Sequence, residues 1–268
     1  MKTAYVTMIC GGDAYVPGVE ALGRSLAETG TKVPRVAMAT PDVPYEAKRR
    51  LAASGWDVRE VAPIPNPHPE GALLFKRFGA SFTKLRAFEL IEFERIVFLD
   101  ADTIVLRNID DLFDRPAIAA ASDFFMPDRF NSGVLVIEPS LGLFARLQAK
   151  LAEAPSYDGG DQGFLNSFWP DWWSMSVAHR LPSGYNMHHF VFQFMLAHEG
   201  LREQCLADVR VVHYTLQKPW LQTTVMGGAK EWWDKFYGAH PEQAHAWRRR
   251  LHEIEDWTFD RVVSLLGE

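Results

Sequence analysis

Cysteine is nearly absent from this chain: Cys10 and Cys205 are the only two in 268 residues. They are too few and too far apart for a disulfide framework or a cysteine zinc site, so each is expected to be a buried thiol. Long apolar runs are missing too. No stretch approaches the roughly 20 residues that a membrane-spanning helix needs. The opening Met1-Lys2 leads into an apolar run far shorter than that of a secretory leader, without a cleavage-type segment. The expectation is therefore no membrane span and a cytoplasmic location. Positive charge is not in excess. At a net charge of −6 and an isoelectric point near 5.9 the chain lacks the electrostatic footprint of a nucleic-acid binder. The clusters Lys48-Arg49-Arg50 and Arg248-Arg249-Arg250 are short and read as solvated helix faces. Phosphate-cradling glycine signatures are also missing, since neither G-x-G-x-x-G nor G-x-x-x-x-G-K-[ST] occurs. There is no internal repeat and no low-complexity segment.

What is present is an ordinary globular composition, 47% hydrophobic and 23% charged, rich in Phe (18) and Trp (9). The length allows one large α/β core. Thr3 to Ile9 reads as a strand, followed by the loop Cys10-Gly11-Gly12-Asp13 and a helix with Val16, Val19, Leu22 and Leu26 on one face. Pro34 to Ala39 reads as a second strand, Tyr45 to Ala53 as a helix stopped by Gly55, and Asp57 to Val61 as a third strand. This βαβαβ order predicts a parallel sheet. The segment from Pro63 to Pro69, with four prolines, is a loop. Phe78, Phe82, Leu85 and Phe88 predict an amphipathic helix, and Val134 to Ile137 a buried strand stopped by Pro139. A helix follows through Phe144, Leu147 and Leu151, and another through Phe164, Leu165 and Phe168. Val209 to His213 is a further strand, and the Trp-rich stretch from about Glu231 is helical. One contiguous core is expected rather than two domains.

The apolar run Ile96-Val97-Phe98-Leu99 ends in Asp100-Ala101-Asp102. Ligands of open α/β sheets bind beyond the carboxyl ends of the strands. In an extended backbone both carboxylates project to one side, two oxygen ligands for a hard divalent cation. An isolated Asp-x-Asp is more often the solvated end of a strand. His213 also stands at a strand end, where a lone histidine is more often a satisfied structural residue than a ligand. Lys218-Pro219-Trp220 follows closely. Two carboxylates plus an imidazole suit a Mn²⁺-type ion better than Ca²⁺, and a nearby lysine adds a point charge for phosphate. Together they predict a metal–diphosphate site. The glycines at 11–12 and 159–160 are weak signals alone, and Asp161 reads equally as a helix cap.

In order along the chain, these landmarks resemble the family-8 retaining glycosyltransferases, most closely the glycogenin and galactinol synthase branch. Tyr5-Val6-Thr7 with Gly11 to Tyr15 looks like a uridine-binding opening, and Thr83-Lys84-Leu85-Arg86 like a helix with a nucleotide-contacting lysine. Phe98 to Asp102 followed by Asn108 to Phe113 is similar to the metal motif and its continuation. Phe130 to Val134 and Asp158 to Asn166 resemble sugar-binding segments, and Leu181-Pro182 with Tyr185-Asn186 matches a further landmark. Val212-His213-Tyr214 with Lys218-Pro219-Trp220 resembles the closing motif, except that the usual glycine between His and Lys is missing from Tyr214-Thr215-Leu216-Gln217.

The resemblance implies a single Rossmann-like nucleotide-sugar-binding domain of glycosyltransferase A type, α/β, with a mixed, mainly parallel sheet and C-terminal helices. Residues 1–115 would be the UDP- and metal-binding half, 116–225 the sugar and acceptor half, and 226–268 the C-terminal helices. It implies a hexosyltransferase that moves a hexose from a UDP-sugar to a hydroxyl acceptor (a small molecule, glycan or protein) with retention, using Mn²⁺ or Mg²⁺. Asp100, Asp102 and His213 would hold the ion. Thr7, Gly12, Tyr15, Arg77, Lys84, Asp100, Ala101, Asn131, Ser132, Asp158, Gly160, Asp161, Gln162, His213 and Lys218 would contact the donor. Asp161, Gln162 and Lys218 would carry the chemistry. Gln162 is a poor nucleophile, so a front-face path positioned by Asp161 is expected. Transfer to a polyol, as by galactinol synthase, and a UDP-sugar-binding protein or hydrolase without an acceptor are the competing readings. Family habit suggests a homodimer. The loop at 63–69 and the segment Asn186-Met187-His188-His189 are expected to border the acceptor.

Overall fold

The computed structural model describes residues 1–67, 76–216, 218–221 and 227–237, without the side chains of residues 76–78, 221, 227–230 and 232. His68 and Pro69, the Arg77 side chain, the Arg248 to Arg250 cluster and the expected helices beyond Tyr237 lie outside the described residues.

The first half follows the βαβαβ pattern. Strand β1 (Thr3–Ile9) leads to helix α1 (Val16–Glu28), β2 (Arg35–Ala39), α2 (Tyr45–Ala53) and β3 (Asp57–Glu60). Strand β4 (Arg95–Leu99) pairs with β1, and β1–β2, β2–β3 and β1–β4 are all parallel. A long run of 3₁₀ turns, Lys76–Glu89, precedes β4 where an amphipathic α-helix was expected. Phe82, Leu85 and Phe88, all buried, recur every three residues. That interval eclipses side chains in a 3₁₀ turn, so the same apolar pattern serves the tighter helix.

Beyond β4 the sheet becomes mixed. Strand β5 (Thr103–Val105) leaves the sheet, while β6 (Ala119–Ser122) and β7 (Phe130–Ile137) return to it, β7 antiparallel to both β4 and β6. Helices α3 (Leu141–Lys150) and α4 (Asp161–Phe168) follow, then the two-residue strands β8 (Arg180–Leu181) and β9 (Met187–His188). Next come α5 (His189–Ala197), α6 (Glu199–Asp208), β10 (Val211–His213) and α7 (Gly227–Tyr237). Among the described residues the strands form a seven-stranded sheet, β3-β2-β1-β4-β7-β6-β8, and a three-stranded sheet, β5-β10-β9. The large sheet is mixed and mainly parallel, as expected.

The central strands are buried on both faces, the burial that continuous apolar runs require. Tyr5, Ile9, Val97 and Leu99 pack with α1 and α2 on one side. Ala4, Val6, Ile96 and Phe98 pack on the other with Phe82, Leu85, Phe144 and Phe164. A third cluster wraps the small sheet, joining Ile104 and Val212 to Trp220, Trp233 and Phe192. Cys205 is buried as expected, whereas Cys10 is only half-buried, and both thiols are free. Among the described residues no helix is long and apolar enough to cross a membrane.

Candidate metal and nucleotide-sugar site

Strand β4 stops at Leu99 and the chain turns at once. The Thr103 N–H and hydroxyl both donate to the Asp100 carbonyl, at 3.1 and 2.8 Å. Asp100 and Asp102 are therefore presented by a tight turn, not by the extended backbone expected from their spacing. The turn is also where the chain crosses from the large sheet into β5 of the small one. Strand β7 grips it through Asp100 N–H to Gly133 O (2.8 Å), and the segment after β10 through Tyr214 N–H to Asp102 O (2.8 Å).

His213 closes β10, with Thr103 across from it on β5 and His188 on β9. Its Nε2 lies 3.2 Å from Asp102 Oδ1 and 3.8 Å from Asp100 Oδ2. The three residues offer ligand atoms that all lie within 4.8 Å of one another. The ring's Nδ1 is 2.9 Å from Asn186 Oδ1, which leaves Nε2 as the nitrogen facing the carboxylates. One imidazole and two carboxylates form a donor set that fits a first-row divalent ion. Gly133 makes the ring's place, because a Cβ there would stand 2.3 Å from His213 Cε1.

Two lysines enclose the turn. Lys84 Nζ reaches Asp161 Oδ2 at 2.6 Å, Asp100 Oδ1 at 3.0 Å and Ser132 Oγ at 3.0 Å. Lys218 Nζ meets Asp102 Oδ2 at 2.8 Å and the Tyr214 carbonyl at 3.0 Å. Burial works against the Lys84 charge, but Asp100 and Asp161 outweigh it and hold the ammonium above its ordinary range. Burial pushes the Asp100 carboxyl up, opposed by Lys84. Burial would raise Asp102 as well, yet Lys218 and His213 outweigh it and hold that carboxyl well below the usual range. Three carboxylates against two ammoniums leave one negative charge uncompensated, which a divalent ion would reverse ahead of a diphosphate.

The sugar-side segments arrive from β7 and α4. Asp161 is the first residue of α4 and does not cap it; Gly160 occupies the cap position. Asp158 closes the loop instead, its Oδ1 accepting from Ser156 Oγ and from the Gly160 and Gly163 N–H groups, all at 2.9 Å. Ser132 Oγ donates to Asp161 Oδ2 (3.0 Å), and Ser132 N–H donates to Gln162 Oε1 (3.2 Å). Gln162 Nε2 donates to Tyr157 Oη (3.0 Å) and Asp123 Oδ2 (3.2 Å). Asn131 has both ends of its amide engaged, donating to Asp123 and accepting from Gly133 N–H and Asn186. Asn131 and Asp158 thus order the cluster rather than present free polar groups.

On the opening loop, Gly12 adopts a left-handed φ of 91° and donates its N–H to Asp42 Oδ2 at 3.0 Å. Tyr15 packs edge-on against Trp220 (5.5 Å), with Lys218 Nζ 5.9 Å above the Tyr15 ring. Thr7 is wholly buried in β1, and its hydroxyl has no hydrogen-bond partner among the described residues. The Ala101 carbonyl approaches α1 so closely that a Cβ on Gly18 would meet it at 2.1 Å. The glycine missing between His213 and Lys218 has a conformational counterpart: Leu216 sits at φ 64°, in the left-handed region a glycine would occupy at no steric cost.

Sequence reasoning missed Asp123, Tyr157 and Asp42 as members of the site. Asp123 follows Ala119-Ala120-Ala121-Ser122, small residues that carry no periodic signal. Beside it stands an exposed aromatic shelf. Phe124 and Phe125 are 52% and 56% exposed, and the Phe124 ring lies 5.1 Å from Phe190 and 5.9 Å from His188. His188 is buried, its Nε2 has no partner among the described residues, and its ring is 6.0 Å from that of His213. Burial, with His213 adding to it, drops His188 to about 4, so the ring is neutral at physiological pH.

Residues 6–224 match the family described as Glycosyl transferase family 8. The chain is 35% identical over 274 residues to inositol phosphorylceramide glucuronosyltransferase 1 of Arabidopsis thaliana, covering 94% of this chain and 47% of that protein. It is 32% identical to Glycogenin-1 of Caenorhabditis elegans, covering all of this chain and 66% of that one. To Glycogenin-1 of Homo sapiens it is 37% identical over 82% of this chain and 63% of the relative. The chain thus spans between about half and two thirds of these relatives' length. Among solved structures, the galactosyltransferase LgtC with donor and acceptor sugar analogs superposes with a TM-score of 0.66 at 18% identity, over 91% of this chain and 99% of LgtC. The glycosyltransferase GlyE of Streptococcus pneumoniae gives 0.61 at 22% identity, over 94% and 64%. At these identities the likeness is one of fold, and the fold is the α/β glycosyltransferase A type.

Proposed function

The chain belongs to glycosyl transferase family 8, and on that premise we propose that it transfers a hexosyl group from a UDP-sugar to a hydroxyl acceptor with retention, assisted by Mn²⁺. The observation that carries this reading is the convergence of Asp100, Asp102 and His213 at one turn, with Lys84 and Lys218 against the same carboxylates. The bound ion would neutralise charge on the departing diphosphate and serve as a template. Lys218 is placed to exchange Asp102 for a phosphate oxygen and to stabilise the charge that grows as the glycosidic bond breaks. Asp161 has Lys84 and Ser132 on Oδ2, an arrangement that suits orienting the sugar better than attacking it. Gln162, held by Tyr157, Asp123 and Ser132, presents an amide beside it. These features favour the front-face path.

We assign the acceptor side to the neighbourhood of His188 and the exposed Phe124–Phe125 shelf. A small molecule, glycan or protein hydroxyl fits that reading, and a polyol is the alternative. Three relatives are named as glucuronosyltransferases, so a hexuronic acid belongs among the donors to be tried. The test is UDP release from UDP-glucose, UDP-galactose, UDP-N-acetylglucosamine and UDP-glucuronate, each with and without Mn²⁺. An acceptor panel of myo-inositol, oligosaccharides and the protein itself follows. Asp102→Ala is expected to lower Mn²⁺-dependent turnover by more than the about 10–100-fold that losing an outer partner of a metal ligand costs. Unchanged turnover overturns the metal assignment. UDP release that no acceptor accelerates favours a hydrolase.

A further inference from the structure

We propose that Asp123 is a positioning residue which, through Asn131 and Asn186, decides which nitrogen of His213 is left to bind the cation. The inference rests on the reading that Asp100, Asp102 and His213 hold that ion. Four buried side chains form the line. Asp123 Oδ2 accepts from Asn131 Nδ2 at 3.0 Å. Asn131 Oδ1 accepts from Asn186 Nδ2 at 2.8 Å, and Asn186 Oδ1 faces His213 Nδ1 at 2.9 Å. All four residues are at least nine-tenths buried, so water does not substitute along the line.

Two amides in series could run in either direction. Reversed, Asn186 would donate to Nδ1, the proton would move to Nε2, and an N–H would point where the cation belongs. Two groups oppose the reversal, while Asp102 Oδ1, 3.2 Å from Nε2, favours a proton on that nitrogen until the ion takes its place. A carboxylate at position 123 can only accept. The Gly133 backbone N–H, 2.9 Å from Asn131 Oδ1, can only donate. The direction is therefore set at its far end, and His213 receives it as a protonated Nδ1, which leaves Nε2 as the nitrogen that yields its proton to the ion. Metal-binding histidines are commonly oriented by an acceptor on the other nitrogen. Here the acceptor is an amide whose own polarity is inherited from a carboxylate two side chains away. The same carboxylate also takes Gln162 Nε2, so it orients one group on the metal side and one on the sugar side.

The residue type is demanded from both sides. Asp123 Oδ1 accepts from the Phe125 and Met126 N–H groups at 2.9 and 3.3 Å, while Oδ2 accepts from Asn131 and Gln162. Donors flank both oxygens. Asp123→Asn keeps the shape but must turn its NH₂ toward one pair of donors. Turned toward Asn131, it lets both amides reverse against Gly133 alone.

The experiment reads the His213 tautomer by ¹⁵N NMR in the metal-free protein, and Mn²⁺ affinity by calorimetry in the presence of UDP. In the native sequence Nδ1 is expected to stay protonated whether or not Nε2 also carries a proton toward Asp102; a ring bare at Nδ1 overturns the proposal without any variant. Asp123→Asn, checked for folding by its thermal transition, is expected to shift the proton toward Nε2 and weaken Mn²⁺ about 10–100-fold. Adding Asn186→Asp places a carboxylate beside Nδ1 that accepts whichever way Asn131 turns, so the Nδ1 proton and the affinity are expected to return. Asp123→Asn with tautomer and affinity unchanged, or a loss that the second substitution does not rescue, overturns the proposal. If the native protein binds no Mn²⁺ with UDP, the metal reading fails, and the tautomer measurements still decide the relay.

Discussion

Lys84 shows what a single side chain does at this site before any donor arrives. Its ammonium is the shared cation of Asp100 and Asp161, and its side chain is 4% exposed. Removing one partner of a buried ion pair leaves uncompensated charge and costs about 3–5 kcal/mol. Lys84→Met is therefore expected to lower the urea-unfolding free energy by about that amount. Because the folded-state pKa of Lys84 is raised, its contribution is fully present below the unfolded value of about 10.5 and lost only as pH climbs through the folded one. The deficit of the variant should thus stay constant between about pH 7 and 9; a deficit that closes within that window contradicts the pairing. Asp100, Asp102 and His213 were legible because strand ends announce themselves in sequence. The commitments of Asn131 and Asp158 were not, because a hydrogen-bond partner tens of residues away leaves no mark on local pattern.

At the scale of elements, the acidic segment after the Asp-Ala-Asp turn is structural. Asp110 accepts from Tyr5 Oη at 2.6 Å and Thr31 Oγ1 at 2.7 Å, joining β1 to the end of the α1 connection. Asp111 accepts from Tyr185 Oη and so ties the same segment to the turn before β9. Burial works against the Asp110 charge, but the bonds from Tyr5, Asn108 and Thr31 outweigh it and hold the carboxyl low. Tyr5→Phe removes a hydrogen bond to a charged group and is expected to cost about 1.5–3 kcal/mol. With the folded value below the unfolded one, that contribution is present above about pH 4 and lost as pH falls further. The gap between native protein and variant should close on acidification, as measured by denaturation at stepped pH. The βαβαβ half was readable because β1 and β2 are apolar runs and the helices between the strands are amphipathic. Strands β8 and β9 have two residues each, β6 is mostly alanine, and α5 is apolar nearly all round. None of these presents a period, and pairing partners alone make them strands or helices.

For the whole molecule, the candidate ion would sit on a seam. Asp100 and Asp102 stand where the large sheet ends, and His213 belongs to the small sheet. A ligand held only by the folded form stabilises it by RT ln(1 + [L]/Kd), about 2.7 kcal/mol at a hundredfold excess over Kd. Mn²⁺ with UDP is expected to raise the unfolding free energy by up to about that amount and to slow amide exchange in β5 and β10, and EDTA to reverse both. Protection confined to β1 and β4 would place the ion elsewhere. The seam also has a consequence in time. Asp100 and Asp102 are synthesised more than a hundred residues before His213, so the parallel strands β1 to β4 can pair while the third ligand is still missing. A ribosome-bound chain with β4 exposed therefore carries only two of the three ligands, and donor binding becomes a late event that reports a finished fold.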